Sequence, residues 1–173
     1  MSGIVALTVL DRETLLELAE GELAAAGERA GVVFPEFFRG ESWLWTLHSA
    51  RMHDYPASVG WLSRVVTLRQ TGEVVGHSGF HFNPDASGMV EIGYTIVPER
   101  RGRGLARETV GELLSFAAAQ PTVQLMRASV SPDNAASLAI VQGWGFVQVG
   151  EERDPEDGLE LVFERRADAP LNL

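Results

Sequence analysis

MVEIGYTIVPERRGRGLARETVGELLSFAAA, residues 89–119, predicts a strand, a glycine-rich turn and a helix in direct succession. Apolar and β-branched residues from Met89 to Val97 favour the strand, and Pro98 ends it because proline has no N–H to donate. Apolar residues then recur at helical spacing from Leu105 to Ala117, so the helix opens at the turn. Together these features predict an anion-binding site at the N-terminus of the helix.

The turn itself, Arg100 to Ala106, combines glycines with arginines. Glycines let the backbone approach a ligand closely, and the first N–H groups of a helix have no internal partners. Arg100, Arg101, Arg103 and Arg107 add positive charge in a chain whose formal net charge is −10. The expected ligand is therefore a phosphate or pyrophosphate group.

Two common phosphate-binding motifs do not fit the turn. A P-loop is excluded because the chain contains no lysine, and a dinucleotide fingerprint is excluded because Arg107 stands where a small residue is needed. The pattern that fits is R-x-x-G-x-A, formed by Arg101, Gly104 and Ala106. This pattern resembles the pyrophosphate loop of the GNAT-type N-acetyltransferases, [QR]-x-x-G-x-[GA], which follows a strand and opens a helix. An ordinary strand–helix turn is the alternative, and the position directly after a proline-terminated strand favours the family.

The composition of the chain limits its class. Its 173 residues are 45% hydrophobic, which suits a single domain over residues 1–173. No apolar run approaches the ~20 residues of a membrane span, so we expect no membrane association and a cytoplasmic location. The absence of cysteine excludes disulfides, thiolate metal sites and a cysteine nucleophile. A pI of about 4.8 argues against nucleic acid as a partner.

The order of predicted elements, β-α-α-β-β-β-α-β-α-β-β, resembles the GNAT fold over nearly the whole chain. That resemblance implies an α+β fold with a mixed, mostly antiparallel central sheet and about four flanking helices. Asp11 is the expected N-cap of the first helix, whose apolar face extends to Leu23. Residues 27–40 are expected to form a loop or broken helix that places Phe34, Phe37 and Phe38 in the core. The helix over residues 41–53 is expected to turn inward Trp43, Leu44, Leu47 and Ala50.

A second motif supports the family. N-x-x-S followed by G-F occurs here as Asn134, Ser137, Gly145 and Phe146. This combination is similar to the RimJ/RimL-like branch, which acetylates protein N-termini and small amines. Asn134 is also a plausible cap for the short helix that follows it.

The resemblance implies which residues hold coenzyme A. The acetyl and pantetheine portions would contact Thr95, Ile96 and Val97, and Asn134 would contact the pantetheine arm. The pyrophosphate would lie on the turn, which comprises Arg101, Gly102, Arg103, Gly104, Leu105, Ala106 and Arg107. Acetyl-CoA is thus the expected acyl donor.

Acyl transfer from a thioester to an amine has three chemical needs. The amine must lose a proton, the carbonyl oxygen must be stabilised, and the leaving thiolate should be protonated. Glu91 lies on the strand face opposite to Val90 and Ile92 and is a candidate base, directly or through water. A solvated or salt-bridged strand carboxylate is the alternative role for Glu91. Backbone N–H groups near Ile96 and Val97 are candidates to hold the acetyl oxygen.

The proton donor departs from the usual family pattern. Other members carry a tyrosine acid seven residues after the asparagine, and here that position is Val141. The resemblance places the hydroxyl of Ser137 near the thioester sulfur, although a serine on a short helix also faces outward in many proteins. Ser137 or a water molecule is therefore the expected donor.

The sequence thus predicts an N-acetyltransferase that moves an acetyl group from acetyl-CoA to a primary amine by direct attack in a ternary complex. The amine would belong to a protein N-terminus or a small molecule. Six acidic residues in 151–160 suit a cationic acceptor, but equally a solubilising surface. An acyl-CoA-binding regulatory module with little catalysis, and a transferase that uses a longer acyl-CoA, are the alternatives. The last hairpin is a possible homodimer contact. No metal site is expected, since His77 and His81 lie ~13 Å apart on their strand.

Overall fold

The fold is organised around a seven-stranded sheet, seen in a computed structural model that describes residues 3–171. The strands lie in the spatial order β1-β2-β3-β4-β5-β7-β6. β4 and β5 run parallel, and every other neighbouring pair is antiparallel, so the predicted mixed and mostly antiparallel sheet is confirmed. The strands are β1 Val5–Val9, β2 Ser63–Leu68, β3 Val74–Phe80, β4 Met89–Ile96, β5 Leu125–Val130, β6 Val147–Asp154 and β7 Gly158–Arg166.

Five α-helices accompany the sheet in the described part of the chain, one more than the sequence predicts. They are α1 Arg12–Ala19, α2 Leu23–Ala30, α3 Ser42–Asp54, α4 Leu105–Ala118 and α5 Ala135–Gly143. The single helix expected after Asp11 is two helices, because the chain breaks at Gly21, where φ is +79°. Asp11 is the N-cap of α1 as predicted, and its Oδ1 accepts from the N–H of Thr14 at 2.8 Å. None of the helices within residues 3–171 combines the length and apolar character that a membrane crossing requires.

The inward face predicted for α3 is wrong at Trp43, Leu47 and Ala50, whereas Leu44 packs against the core as expected. Trp43 is 59% exposed and Leu47 is 39% exposed, whereas Trp45, His48 and Met52 are buried. Trp45 stacks on Phe38 with ring centroids 5.4 Å apart, and its indole N–H donates to the Phe38 carbonyl at 2.9 Å. This packing against the preceding 3₁₀ turn sets the rotation of the helix.

Apolar residues pack on both faces of the sheet, in three clusters. On one face α4 and α5 pack on strand residues that include Phe80, Val90 and Ile92. On the other face α1, α2 and α3 pack around Phe38 and Leu62. Helix α4 buries the face that the sequence periodicity predicts. Its buried residues include Leu105, Thr109, Leu113 and Ala117. Phe34 and Phe38 lie in the core, as expected.

Candidate active site

The sheet opens between its two parallel strands. β4 pairs with β5 only at Met89–Glu91, opposite Leu125–Arg127. Beyond that point β4 continues beside β3 as far as Ile96, while β5 continues beside β7. The two strands therefore separate after these three residue pairs. The space between residues 92–96 of β4 and 128–130 of β5 is here called the β4–β5 cleft.

Strand pairing decides which backbone groups face the cleft. The Glu91 carbonyl accepts from His81, and the Val97 N–H donates to the Val75 carbonyl at 2.9 Å, so both groups bond to the β3 side. Since bonding alternates along an antiparallel pair, the N–H of Ile96 points the other way, into the cleft. The prediction that the Val97 N–H is available to a ligand is wrong, whereas the Ile96 N–H is oriented as expected.

The glycine-rich turn has the backbone geometry of an anion site. Gly102 and Gly104 have φ of +71° and +77°, in the left-handed region that other residues rarely adopt. Gly104 is the N-cap of α4, which begins at Leu105 as predicted, and no side chain caps this end. A Cβ built on Gly104 would meet no atom of the described residues within 4 Å. The first N–H groups of α4 therefore open onto free space that a phosphate oxygen can occupy.

The four arginines of the turn differ in their contacts. Arg101 is held at the cleft because its Nε donates to the Ile96 carbonyl at 2.9 Å. The Arg107 guanidinium stacks over the Trp144 ring at 4.9 Å, and Arg103 is exposed on the turn. The expectation that Arg100 adds its charge here is wrong, because its Nε donates to Glu73 Oε1 at 2.6 Å.

Helix α5 supplies the wall opposite to β4. Asn134 is its N-cap, as predicted, and Asn134 Oδ1 accepts from the Ser137 N–H at 3.1 Å. This bond fixes both residues on the side of α5 that faces β4. A cavity of about 320 Å³, here called the α5-side cavity, brings together many of the predicted site residues. Its lining includes Thr95, Ile96, Arg101, Ala106, Asn134 and Ser137.

Glu91 lies at the closed end of the cleft. Its neighbours Val90 and Ile92 are buried on the opposite face, which confirms the predicted alternation. Glu91 Oε1 accepts from the Ser129 hydroxyl at 2.6 Å, and Oε2 lies 3.7 Å from His81 Nδ1. Ser129 and His81 line a second cavity of about 400 Å³, here called the β7-side cavity. Glu91 therefore contacts the walls of the cleft, and its carboxylate is hydrogen-bonded by the protein.

Two residues that the sequence analysis did not single out also face the cleft. Glu160 on β7 lines the β7-side cavity together with Ser137. Burial raises the pKa of Glu160, and the nearby carboxylates of Asp157 and Asp154 raise it further. Tyr94 on β4 lines both this cavity and the α5-side cavity. The alternation of β4 gave a signal for Tyr94, but Glu160 was visible only as one of the six acidic residues in 151–160.

A third cavity, of about 230 Å³, continues the cleft toward α3. Three of the histidines, His48, His77 and His81, line it. His77 Nε2 lies 3.1 Å from Glu41 Oε2, and His48 Nδ1 lies 2.7 Å from the Ser63 hydroxyl. Burial lowers the pKa of His48 to about 3, with a further contribution from the nearby positive charge of Arg51, so His48 is neutral near pH 7. Within residues 3–171 there is no group of three side chains that could hold a metal ion.

The fold and this site agree with the comparison to known proteins. The model of the acetyltransferase (GNAT) domain family matches residues 4–147. The chain therefore belongs to the GNAT acetyltransferase family, and its sheet with five flanking helices is a GNAT fold.

Individual relatives are more distant. The chain is 30% identical over 91 residues to the uncharacterized N-acetyltransferase p20 of Bacillus licheniformis, a match that covers 53% of this chain and 51% of that protein. It is 31% identical over 88 residues to the uncharacterized N-acetyltransferase YjdG of Bacillus subtilis, a match that covers 51% of this chain and 52% of that protein. The chain thus spans about half the length of the curated relatives it matches.

Solved structures extend the similarity of fold over almost the whole chain. A chimera of spermidine N-acetyltransferase SpeG from Vibrio cholerae and hSSAT superposes with a TM-score of 0.66 at 18% identity, covering 95% of this chain and 96% of that one. The ribosomal-protein-S5-alanine acetyltransferase of Vibrio fischeri superposes with a TM-score of 0.66 at 15% identity, and the match covers 98% of both chains. At these identities the similarity concerns the fold.

Proposed function

We propose that the chain is an acetyl-CoA-dependent N-acetyltransferase of the RimJ/RimL-like branch, which transfers an acetyl group to a primary amine. The observation that carries this proposal is the β4–β5 cleft, with the uncapped N-terminus of α4 at one end and Asn134 with Ser137 along one wall. The N-x-x-S and G-F pattern supports the branch.

The residues of the cleft suit coenzyme A as the carrier of the acetyl group. The pyrophosphate would bind the free N–H groups of α4 at Gly104, where the open space next to the backbone admits phosphate oxygens. Arg103 and Arg107 would add charge at that end. Asn134 has its Oδ1 committed to the cap and retains its amide NH₂ for the pantetheine arm. When bound, the thioester supplies an activated acyl group.

Each chemical need of the transfer has a candidate in the cleft. The Ile96 N–H, which points away from β3, would stabilise the acetyl oxygen as it gains charge. Glu91 would accept the amine proton, directly or through water, and the Ser137 hydroxyl would donate to the leaving sulfur. Because the chain has no cysteine, we propose direct attack by the amine in a ternary complex.

Glu160 competes with Glu91 for the role of base. Its raised pKa brings it nearer to neutral pH, where a general base is most effective, and it shares the β7-side cavity with Ser137. Glu91, in contrast, already accepts a hydrogen bond from Ser129. Glu91 remains our proposed base because it lies where β4 and β5 separate, and the two carboxylates are tested against each other below.

We further propose that the acceptor is a cationic amine, either a protein N-terminus or a small molecule. Asp157 and Glu160 line the β7-side cavity next to the exposed ring of Trp43, and this combination favours a positively charged ligand. Two structural neighbours are a spermidine acetyltransferase and a ribosomal-protein-alanine acetyltransferase, one for each kind of amine. A homodimer contact through the last hairpin and a cytoplasmic location stay predictions.

The proposal is tested by incubating the protein with acetyl-CoA and a panel of peptides, polyamines and other small amines, and by reading the products by mass. An added mass of one acetyl group on an amine confirms the function and identifies the acceptor class. Parallel reactions with longer acyl-CoAs test the choice of donor. Tight binding of acetyl-CoA without any acylated product across the panel would contradict the proposal and favour a regulatory module.

A further inference from the structure

The hydroxyl of Tyr94 is buried at the cleft without a hydrogen-bond partner among residues 3–171. A buried hydroxyl that makes no hydrogen bond costs about 1–3 kcal/mol, and a phenylalanine of the same shape would avoid that cost. Tyr94 lies on the same face of β4 as Ile92 and Ile96, which is the face that packs toward α5. The structure therefore carries an unfavourable group at the point where all three cavities meet.

Ser137 lines both the α5-side cavity and the β7-side cavity together with Tyr94. Burial raises the pKa of Tyr94, and the Ser137 side chain opposes part of that rise. The Ser137 N–H donates to Asn134 Oδ1, which holds the Ser137 backbone in place and leaves its side chain to rotate. A rotation about the Ser137 side-chain bond would thus satisfy both hydroxyls at once.

The helix that contains Ser137 offers no other donor at the expected place. Val141 lies two turns after Asn134 and is fully buried in the core. Thr95, the neighbour of Tyr94, points to the opposite face of β4. Tyr94 is therefore the side chain through which β4 can act on Ser137.

We propose that Tyr94 is a positioning residue for acyl transfer: its O–H donates to Ser137 Oγ, which directs the hydrogen of Ser137 to the leaving sulfur. In this step the amine nitrogen forms the new bond to the acyl carbon, the C–S bond breaks, and its electron pair goes to sulfur. The hydrogen bond from Ser137 stabilises that charge, and the thiolate then takes a proton from water. The proton lost by the amine leaves through the base, and Tyr94 keeps its own proton throughout.

This inference rests on the proposed N-acetyltransferase reaction, and its test uses four variants. They are Tyr94→Phe, Ser137→Ala, the double variant, and Tyr55→Phe as the control. Tyr55 is the only other tyrosine of the chain and is 58% exposed, so its change removes a phenol hydroxyl away from the cleft. Rates are measured in single turnovers, so that product release does not mask the chemical step.

Tyr94→Phe should lower the single-turnover rate about tenfold and leave the Kd of acetyl-CoA unchanged. In the Ser137→Ala background the same change should alter the rate less than twofold, because the hydroxyl on which Tyr94 acts is gone. The Tm of ligand-free Tyr94→Phe should equal or exceed that of the wild type, since the hydroxyl makes no hydrogen bond in the structure that the variant would lose. Tyr55→Phe should match the wild type in rate.

Three results would overturn the role of Tyr94. These are an unchanged rate in Tyr94→Phe, rate losses of Tyr94→Phe and Ser137→Ala that multiply in the double variant, and a loss of activity that parallels a lowered Tm. If the wild type acetylates no amine at all, the proposed function itself is rejected, and the inference about Tyr94 is rejected with it. Normal wild-type turnover with an unaffected Tyr94→Phe variant rejects only the inference about Tyr94.

Discussion

Replacing Gly104 by valine tests where the pyrophosphate of coenzyme A binds. Gly104 has φ of +77°, and a residue with a side chain in that region costs about 1–2 kcal/mol. The protein itself leaves room for the new side chain, because no atom of the described residues lies within 4 Å of a Cβ built there. The valine would instead fill the space through which phosphate oxygens approach the first N–H groups of α4.

The loss of affinity can be worked out from the bonds at this helix end. A hydrogen bond to a charged group contributes about 1.5–3 kcal/mol, and the valine should cost at least one such bond. We therefore expect Gly104→Val to weaken acetyl-CoA binding at least tenfold, which corresponds to about 1.4 kcal/mol. The reduction should appear equally for CoA, since both ligands carry the same pyrophosphate.

Gly72→Val provides a matched control. Gly72 lies in the turn between β2 and β3, its φ is +73°, and a Cβ there would also meet no atom within 4 Å among the described residues. Both variants should thus lose similar stability from backbone strain, and only Gly104→Val should lose affinity. Calorimetric titration of each folded variant with CoA measures the difference. Wild-type affinity in a folded Gly104→Val protein would refute the assignment of the site.

The remaining predictions concern catalysis and acid stability. Ser137→Ala should lower kcat and kcat/KM together by ~10–10³-fold, with binding of acetyl-CoA nearly constant, because the lost bond matters once sulfur carries charge. Glu91→Gln should lower kcat roughly 10²-fold without weakening acetyl-CoA binding; an unchanged kcat, together with a loss in Glu160→Gln, would make Glu160 the base. Unfolding by denaturant should show stability falling by up to about 1.4 kcal/mol per pH unit from about pH 6.5 toward 3. The reason is that the unfolded chain protonates His48, whose pKa in the fold is about 3, and a His48→Gln variant should lack this contribution.

The features that the sequence predicted correctly are decided by a few neighbouring residues. Pro98 ends β4 because it has no N–H to donate. Gly104 is the N-cap of α4 because glycine adopts the left-handed backbone conformation of that position without steric cost. Asn134 caps α5 by a bond to a residue three positions away. These devices are local, so one stretch of sequence is enough to recognise them.

The features that were predicted wrongly depend on distant packing. Tryptophans stand at both positions 43 and 45, and the choice of the buried one follows from the contact of Trp45 with Phe38. Arg100 leaves the anion site because Glu73, which precedes β3, pairs with it. The Val97 N–H is not free because it donates to the Val75 carbonyl, so hydrogen bonding between β3 and β4 continues up to the residue before Pro98. In each case the deciding partner lies outside the local pattern.

The cleft itself follows from a division of the sheet that no local pattern reveals. β4 stays with β3 and β5 stays with β7, so the sheet is joined across the middle by only three residue pairs. Beyond them the N–H and carbonyl of Tyr94 and the N–H of Ile96 face the cleft with no neighbouring strand, whereas the Ile96 carbonyl accepts from Arg101 Nε. Unpaired backbone groups require partners. A ligand chain with its own amides, such as the pantetheine arm, would take the place of the missing strand at that edge. The same separation of β4 from β5 makes the cleft in which Ser137 of α5 and Glu160 of β7 face β4. The groups proposed for catalysis and the free strand edge proposed to hold the acyl donor therefore both result from the separation of these two strands.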